Sequence, residues 1–276
     1  MSGWLKAASK ACALVLLVAL TVAVLMGATA YTPSLEVRPL AEFYLESTFN
    51  VYDKSRWAAA PEAVTAMLWD YRGLDTVFES TVFILAVVGS AALFRFSEAS
   101  LLSYVSKPSA RREEGLSIIV RVVTRISFAL IVALSAAIAL HGHLTPGGGF
   151  QAGSILSIAP LLAIAAFSRR FVEGLRLTRR SCRALEAVGF LFIASISLLP
   201  VATALGGMGA CIIQNQAKPW LPSPGFSYPV ELGPLWTSGS LLLFNVAEYL
   251  AISSGFTLLF ILLALPEEFF RELMRR

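Results

Sequence analysis

Six stretches of this chain carry almost no charge for the length of a membrane crossing: about residues 11–30, 76–94, 116–140, 150–167, 184–205 and 236–265. A helix needs roughly 20 apolar residues to span the hydrocarbon core of a bilayer. In lipid every backbone N–H and C=O must be bonded within the protein, which favours helices for runs of this length. With 57% hydrophobic and 14% charged residues and a mean hydropathy of +0.72, the chain reads as an all-α integral membrane protein with about six transmembrane helices, not as two soluble domains. A multi-pass protein of the cell membrane is expected, and nucleic acid is not an expected partner.

The basic residues set the expected orientation. With the N-terminus inside, inner segments hold 15 of the 22 lysines and arginines. Among them are Lys6, Lys10, Lys107, the six arginines between 169 and 183, and Arg271, Arg275 and Arg276. Outer segments hold only Arg38, Lys54, Arg56, Arg72 and Lys218. That bias follows the positive-inside rule with both termini cytoplasmic. Ala28-Thr29-Ala30 also fits a signal-peptidase site, so the first run is either a span or a removable signal. Both alternatives leave residue 31 outside.

Local signals refine the elements. Pro61 opens a short helix over 62–69, apolar on one side through Val64, Met67 and Leu68, with Gly73 placed to cap its C-terminus. Thr76-Val-Phe-Glu79 fits a capping box at the start of the second span. Arg121 and Arg125 share a face within snorkelling reach of headgroups. Pro160 and Pro200 fall inside spans, where neighbouring helices must repair the lost hydrogen bonds. Glu186 lies near a basic edge, where Arg180 or Arg183 is its expected partner. Small residues (Gly153, Ala163, Ala165, Gly189, Gly255) allow close helix contacts. Cys12, Cys182 and Cys211 are scattered, so no metal, iron–sulfur centre or other cofactor is expected in this chain.

Between the third and fourth spans stands His141-Gly-His143-Leu-Thr-Pro146-Gly147-Gly148-Gly149-Phe-Gln-Ala-Gly153, holding both histidines of the chain. Read locally it is a tight turn. Pro146 fixes φ, and the three glycines permit angles or contacts that side chains would block. No Gly-Lys-Ser/Thr follows to make a phosphate loop, and two histidines without a nearby Cys or carboxylate are not a metal-ligand set. The run resembles the signature of the B subunit (MnhB/MrpB) of Mrp-type multisubunit Na+/H+ antiporters, whose relatives include the F-type subunit of membrane-bound hydrogenases.

A second stretch, Asp70-Tyr-Arg72-Gly73-Leu-Asp75-Thr76-Val-Phe-Glu79, resembles the C-terminal part of the Mrp A-type protein, which in membrane-bound hydrogenases is a separate E-type subunit. The two resemblances imply three parts: an E-type unit over 1–96, with two spans and an outer segment at 31–74; a linker over 97–114; and an MnhB/MrpB-like unit over 115–276 with four spans. Physically, Asp70, Arg72 and Asp75 form a charged knot where a helix ends and a span begins. Either they close the turn locally, or Glu79, one turn into the membrane, binds Na+ or passes a proton.

Glu248 is the other acid expected near mid-span, in the sixth run. Asn245, Tyr249 and Ser253 make a polar stripe beside it. Where the antiporter pattern carries a lysine, this chain has Ala251. The resemblance implies a membrane subunit of a cation/proton antiporter module that exchanges Na+ for H+. That module stands alone or is joined to a hydrogenase-like, ferredoxin-driven redox complex. The expected ion path is Glu79, Glu248, Asp75 and Asn245, with His141 and His143 at its outer mouth, and the expected partners are the other membrane subunits. The alternative is a structural subunit that positions its neighbours without conducting ions. An enzyme acting alone finds no metal set, nucleotide loop or Ser/His/Asp arrangement in the sequence.

Overall fold

The computed structural model describes residues 3–30, 36–94, 116–219 and 225–265. The 97–114 linker and the tail arginines lie outside the described residues. The elements are α1 (Gly3–Ala30), α2 (Pro39–Thr48), α3 (Ala63–Ala66) running into a π-helical turn (Met67–Tyr71), α4 (Gly73–Leu93), α5 (Ile118–His141), α6 (Gly149–Ala166), α7 (Arg169–Gly174), α8 (Arg179–Ala204), a hairpin of β1 (Glu231–Leu232) and β2 (Leu235–Trp236), and α9 (Leu241–Leu263). Among the described residues six helices, α1, α4, α5, α6, α8 and α9, are long and apolar enough to cross a membrane. The chain divides into two compact units, Met1–Phe43 and Tyr44–Arg276.

The second unit is built around α9, which packs against α8, α6, α4 and α5. Glycines set the closeness of these contacts. A Cβ on Gly153 of α6 would fall 3.0 Å from the Tyr249 carbonyl, and one on Gly189 of α8 would fall 2.7 Å from the Ala247 carbonyl and the Ala251 nitrogen. Ala251, 1% exposed, is thus pressed against the Gly189 backbone. Ala163 is buried, whereas Ala165 faces outward.

One end of this unit is closed by a loop cap. Asn215 ties it together: its Nδ2 donates to the Ala58 carbonyl at 2.8 Å, and its Oδ1 accepts from the Ser240 backbone N–H at 2.8 Å. Only glycine suits position 239: φ is +71°, and a Cβ there would fall 2.0 Å from Asn215 Oδ1. Trp69 stacks on Phe244 with ring centroids 4.4 Å apart. The cap also repairs the Pro200 defect. Pro200 leaves the carbonyl four residues before it, Ile196, without its helical donor, and the Tyr228 hydroxyl donates to that oxygen at 2.7 Å.

Several expectations are corrected. The sixth span begins at Leu241, not near 236, because Leu235–Trp236 pair with β1 and Ser238 and Gly239 take positive φ. Glu248 therefore lies only two turns into α9. Thr76 and Glu79 form no capping box: α4 starts at Gly73, and the Thr76 hydroxyl donates to the Leu68 carbonyl at 2.6 Å. Gly73 is no C-terminal cap; it admits Ile213, whose Cγ2 would lie 2.5 Å from an added Cβ. The fifth span starts earlier than 184, at Arg179, behind a capping box of Thr178 and Ser181. Among the described residues Glu186 forms no ion pair with Arg180 or Arg183. It turns inward, where its Oε1 has no hydrogen-bond partner, while both arginines are exposed.

Candidate functional site

Beneath the loop cap, where α4, α6 and α9 begin, lies a cavity of about 140 Å³ lined by Thr65, Thr76, Glu79, Gln151, Asn245 and Glu248, among others. Residues from three distant parts of the chain meet there. The turn between α5 and α6 is fastened to the segment preceding α4. Thr65 donates its hydroxyl to the Gly142 carbonyl at 2.6 Å, and the Glu62 N–H donates to the His143 carbonyl at 3.3 Å.

Glu248 is 6% exposed. Its Oε2 accepts the Phe150 backbone N–H at 3.0 Å, and its Oε1 accepts the Ser80 hydroxyl at 3.4 Å. The first of these bonds uses an N–H in the opening turn of α6, where backbone donors have no intrahelical partner and the helix dipole favours an anion. Gly149 permits the approach. A Cβ there would sit 2.4 Å from the Asn245 carbonyl oxygen and 2.7 Å from Glu248 Cβ. The Gly-Gly-Gly run thus brings the start of α6 onto α9.

Asn245 is fully buried, and neither its Oδ1 nor its Nδ2 has a hydrogen-bond partner. A buried polar group left unpaired costs about 1–3 kcal/mol. The cavity it borders has room for water. Glu79 lines the same space from α4 and is exposed on this chain. Two carboxylates facing one small cavity repel when both are ionised, which favours a cation or a proton between them. The side-chain oxygens at the cavity, set beside Leu68, Trp69 and Phe150, suit a hard cation or an ordered water chain.

The other expected site residues lie elsewhere. Asp75 pairs with Arg72 on the surface. Asp70, with a side chain 2% exposed, instead takes Lys218 of the loop cap at 2.8 Å. Burial pushes the Asp70 carboxyl up, and the Lys218 charge opposes that shift. The expected charged knot is therefore two separate pairs. His141 is exposed, with Nδ1 2.9 Å from the Ala137 carbonyl oxygen. His143 is 1% exposed; its Nε2 lies 2.8 Å from the Trp236 carbonyl oxygen, and its Nδ1 is buried without a partner. Burial lowers its pKa, which the Trp236 bond partly opposes. Neither histidine lines the cavity. Pro146 and Gly147 shape the turn: Gly147 has φ +157° and would meet Ile138 if it carried a Cβ.

Sequence reading did not find Ser80, Thr65, Gln151 or Asn215. Lys218 carried one weak signal, as the only Lys or Arg between 206 and 235. The others are ordinary polar residues in loops and helix starts, and only the fold gives them meaning. Among the described residues no group of three or more His, Cys, Asp or Glu could hold a metal ion.

Comparison with known proteins bears on this arrangement. An uncharacterized protein of Methanocaldococcus jannaschii is 29% identical over 150 residues, 48% of this chain and 55% of that protein. A probable A/B subunit of a K(+)/H(+) antiporter from Rhizobium meliloti is 30% identical over 150 residues, 49% of this chain and 14% of that protein. The chain thus spans about half the length of the first of these relatives and a small part of the second. In fold it resembles a chain of the membrane-bound sulfane sulfur reductase, an archaeal respiratory membrane complex, with TM-score 0.61 and 22% identity over 94% of this chain and 99% of that one. It also resembles a chain of the Mrp complex from Dietzia sp. DQ12-45-1b, with TM-score 0.54 and 22% identity over 96% of this chain and 26% of that one. The family model described as a domain related to the MnhB subunit of Na+/H+ antiporter matches residues 119–258. That match covers just over half of the chain, from the first turn of α5 into α9, and this multi-pass membrane protein belongs to that family.

Proposed function

We propose that the chain is a subunit of a cation/proton antiport module and that the cavity under its loop cap is a station for the transported ion or proton. One observation carries the reading: Asn245, fully buried with both side-chain polar atoms unpaired, borders a cavity shared with the carboxylates of Glu79 and Glu248. A side chain in that state needs water or an ion beside it. The exchanged cation is Na+ or K+; the oxygen lining accepts either. Glu79 connects the cavity to the surface of the chain, where a neighbouring subunit or solvent completes the route.

The partners are other membrane subunits of the same module, which supply the main proton channel. A hydrogenase-like or other redox module is the energy source where one is attached. Residues 1–96 stand for the E-type unit and 115–276 for the MnhB/MrpB-like unit, joined in one chain with both termini cytoplasmic. A fold neighbour matched over 94% of this chain and 99% of its own is what supports reading the two units as one continuous chain.

The test is cation-dependent proton movement in vesicles carrying the assembled complex with Glu248→Gln or Glu79→Gln. Loss of exchange with normal assembly is expected for both. Wild-type rates in both variants would replace this reading with that of a structural subunit.

A further inference from the structure

A second buried carboxylate lies deeper in the bundle. Glu186 of α8 is 5% exposed, and its Oε1 has no hydrogen-bond partner. It leans on the one place where α9 has no side chain. A Cβ on Gly255 would lie 3.0 Å from Glu186 Oε1 and 2.7 Å from Cε1 of Phe83. Gly255 follows Glu248 by seven residues, two turns along the same face and about 10 Å down the axis. On α4, Phe83 follows Ser80 by one turn, and Ser80 is the residue whose hydroxyl reaches Glu248. The Phe83 ring packs on Phe256 at 4.9 Å and on Phe150 at 6.0 Å between centroids. Phe150 itself supplies the N–H to Glu248. A cluster of three phenyl rings therefore stands between the two acids.

Glu186 also borders space of its own. A groove of about 1020 Å³ runs between α4 and α8, floored by Leu258 of α9 and lined by Val87, Phe190, Arg179 and Arg183 as well as Glu186. It is the larger of the two spaces described and lies towards the start of α8, away from the loop cap. Among the described residues the charged and titratable groups near Glu186 all come from its own helix: Arg179, Arg183 and the buried thiol of Cys182. The facing residues of α4 and α9, including Phe83, Val87, Gly255 and Leu258, are apolar or lack a side chain. The Arg183 guanidinium, on the groove one turn before Glu186 on the same helix, repels Na+ or K+. A proton can still reach a carboxylate there, passed along water, because it arrives as a change in bonding and not as a hydrated ion.

We propose that Glu186 is a proton-exchange site open to the arginine-lined end of the bundle, with Phe83 as the barrier between it and Glu248. This deepens the function proposed above and rests on it for the role of Glu248. Glu248 would then serve the cation and proton at the cap, and Glu186 only the proton at the opposite end.

The test uses the assembled complex in native membranes and vesicles. A hydrophobic carbodiimide, which reacts with protonated carboxyls in apolar surroundings, should form an adduct on Glu186 detectable by peptide mass spectrometry. The adduct should form more slowly as the pH is raised and be absent in Glu186→Gln. Glu186→Gln should lower cation-driven proton exchange at least tenfold with assembly retained, and Glu186→Asp should recover part of it. Phe83→Leu, which thins the barrier, should raise proton leak in the absence of cation. If Glu186→Gln exchanges at the wild-type rate while Glu248→Gln does not, this inference fails and the cap site stands. If both exchange normally, the functional reading fails with it. Should Glu186→Gln fail to assemble, absence of a pH-dependent adduct in the wild-type protein overturns the proposal.

Discussion

The two buried carboxylates, Glu248 and Glu186, meet α9 about two turns apart, and their surroundings differ in kind. Glu248 has donors ready: the Phe150 N–H in the opening turn of α6 and the Ser80 hydroxyl, within a cap cross-linked by Asn215, Thr65 and Lys218. Glu186 has a bare glycine, a phenyl ring and an open groove. The difference lies in where helices start. A helix beginning against an acid brings unpaired N–H groups and a favourable dipole. An acid packed against the middle of two helices meets backbone whose donors are already used, so its partner must be a proton, water or another subunit.

The sharpest way to break this contrast is to substitute the glycine beside each acid. Gly149→Ala should abolish accumulation of the assembled protein, because its Cβ meets the Asn245 backbone oxygen and Glu248 Cβ, neither of which can swing away. That places it at or above the ~1–3 kcal/mol usual for overpacking. Gly255→Ala meets only the ends of the Phe83 and Glu186 side chains, so it should assemble and lose about 1 kcal/mol. Equal losses in thermal unfolding of the two variants would remove the distinction between a fixed end and a yielding one.

The cap can be tested next through its buried ion pair. Lys218→Met strands the Asp70 carboxylate, whose side chain is 2% exposed, and should cost about 3–5 kcal/mol. Adding Asp70→Asn should recover most of that loss, as read by thermal unfolding in detergent. A smaller effect is expected from His143. Burial lowers its pKa from the ordinary value near 6.5, so the unfolded chain binds the proton more readily than the folded one. Stability should therefore be full above about pH 6.5 and fall as the pH drops through and below it. In His143→Gln that slope should vanish. The smallest effect belongs to Arg72→Ala. Its pair with Asp75 is about 60% exposed on both sides, and its loss should change stability by less than about 1 kcal/mol.

Much of the architecture was legible from the chain alone, for a simple reason: a bilayer demands long uncharged runs, and such runs are a local property of sequence. The six expected spans correspond to the six long apolar helices, and the Pro-Gly-Gly-Gly turn stands where its composition places it. Helix starts were less legible. Thr76 and Glu79 have the spacing of a capping box, yet the chain leaves the π-helical turn at Tyr71 already poised to begin α4 at Gly73. Trp236 reads as the start of an apolar span but is taken, with Leu235, into a hairpin by β1.

The sequence could mark Glu79, Glu248 and Asn245 as acidic or polar residues in apolar surroundings, because their cost in lipid depends only on their type. It could not say that Glu79 and Glu248 share a cavity, that Asp70 reaches Lys218 and not Arg72, or that Glu186 forms no ion pair with Arg180 or Arg183. Those contacts join residues far apart in the chain, or depend on which way a helix is rotated. A helix such as α9 buries its polar residues along with its apolar ones, so it has no solvent-facing side from which rotation can be read. Its rotation is set by close packing at Gly149, Gly153 and Gly189, where backbone meets backbone, and the fate of each acid follows from it.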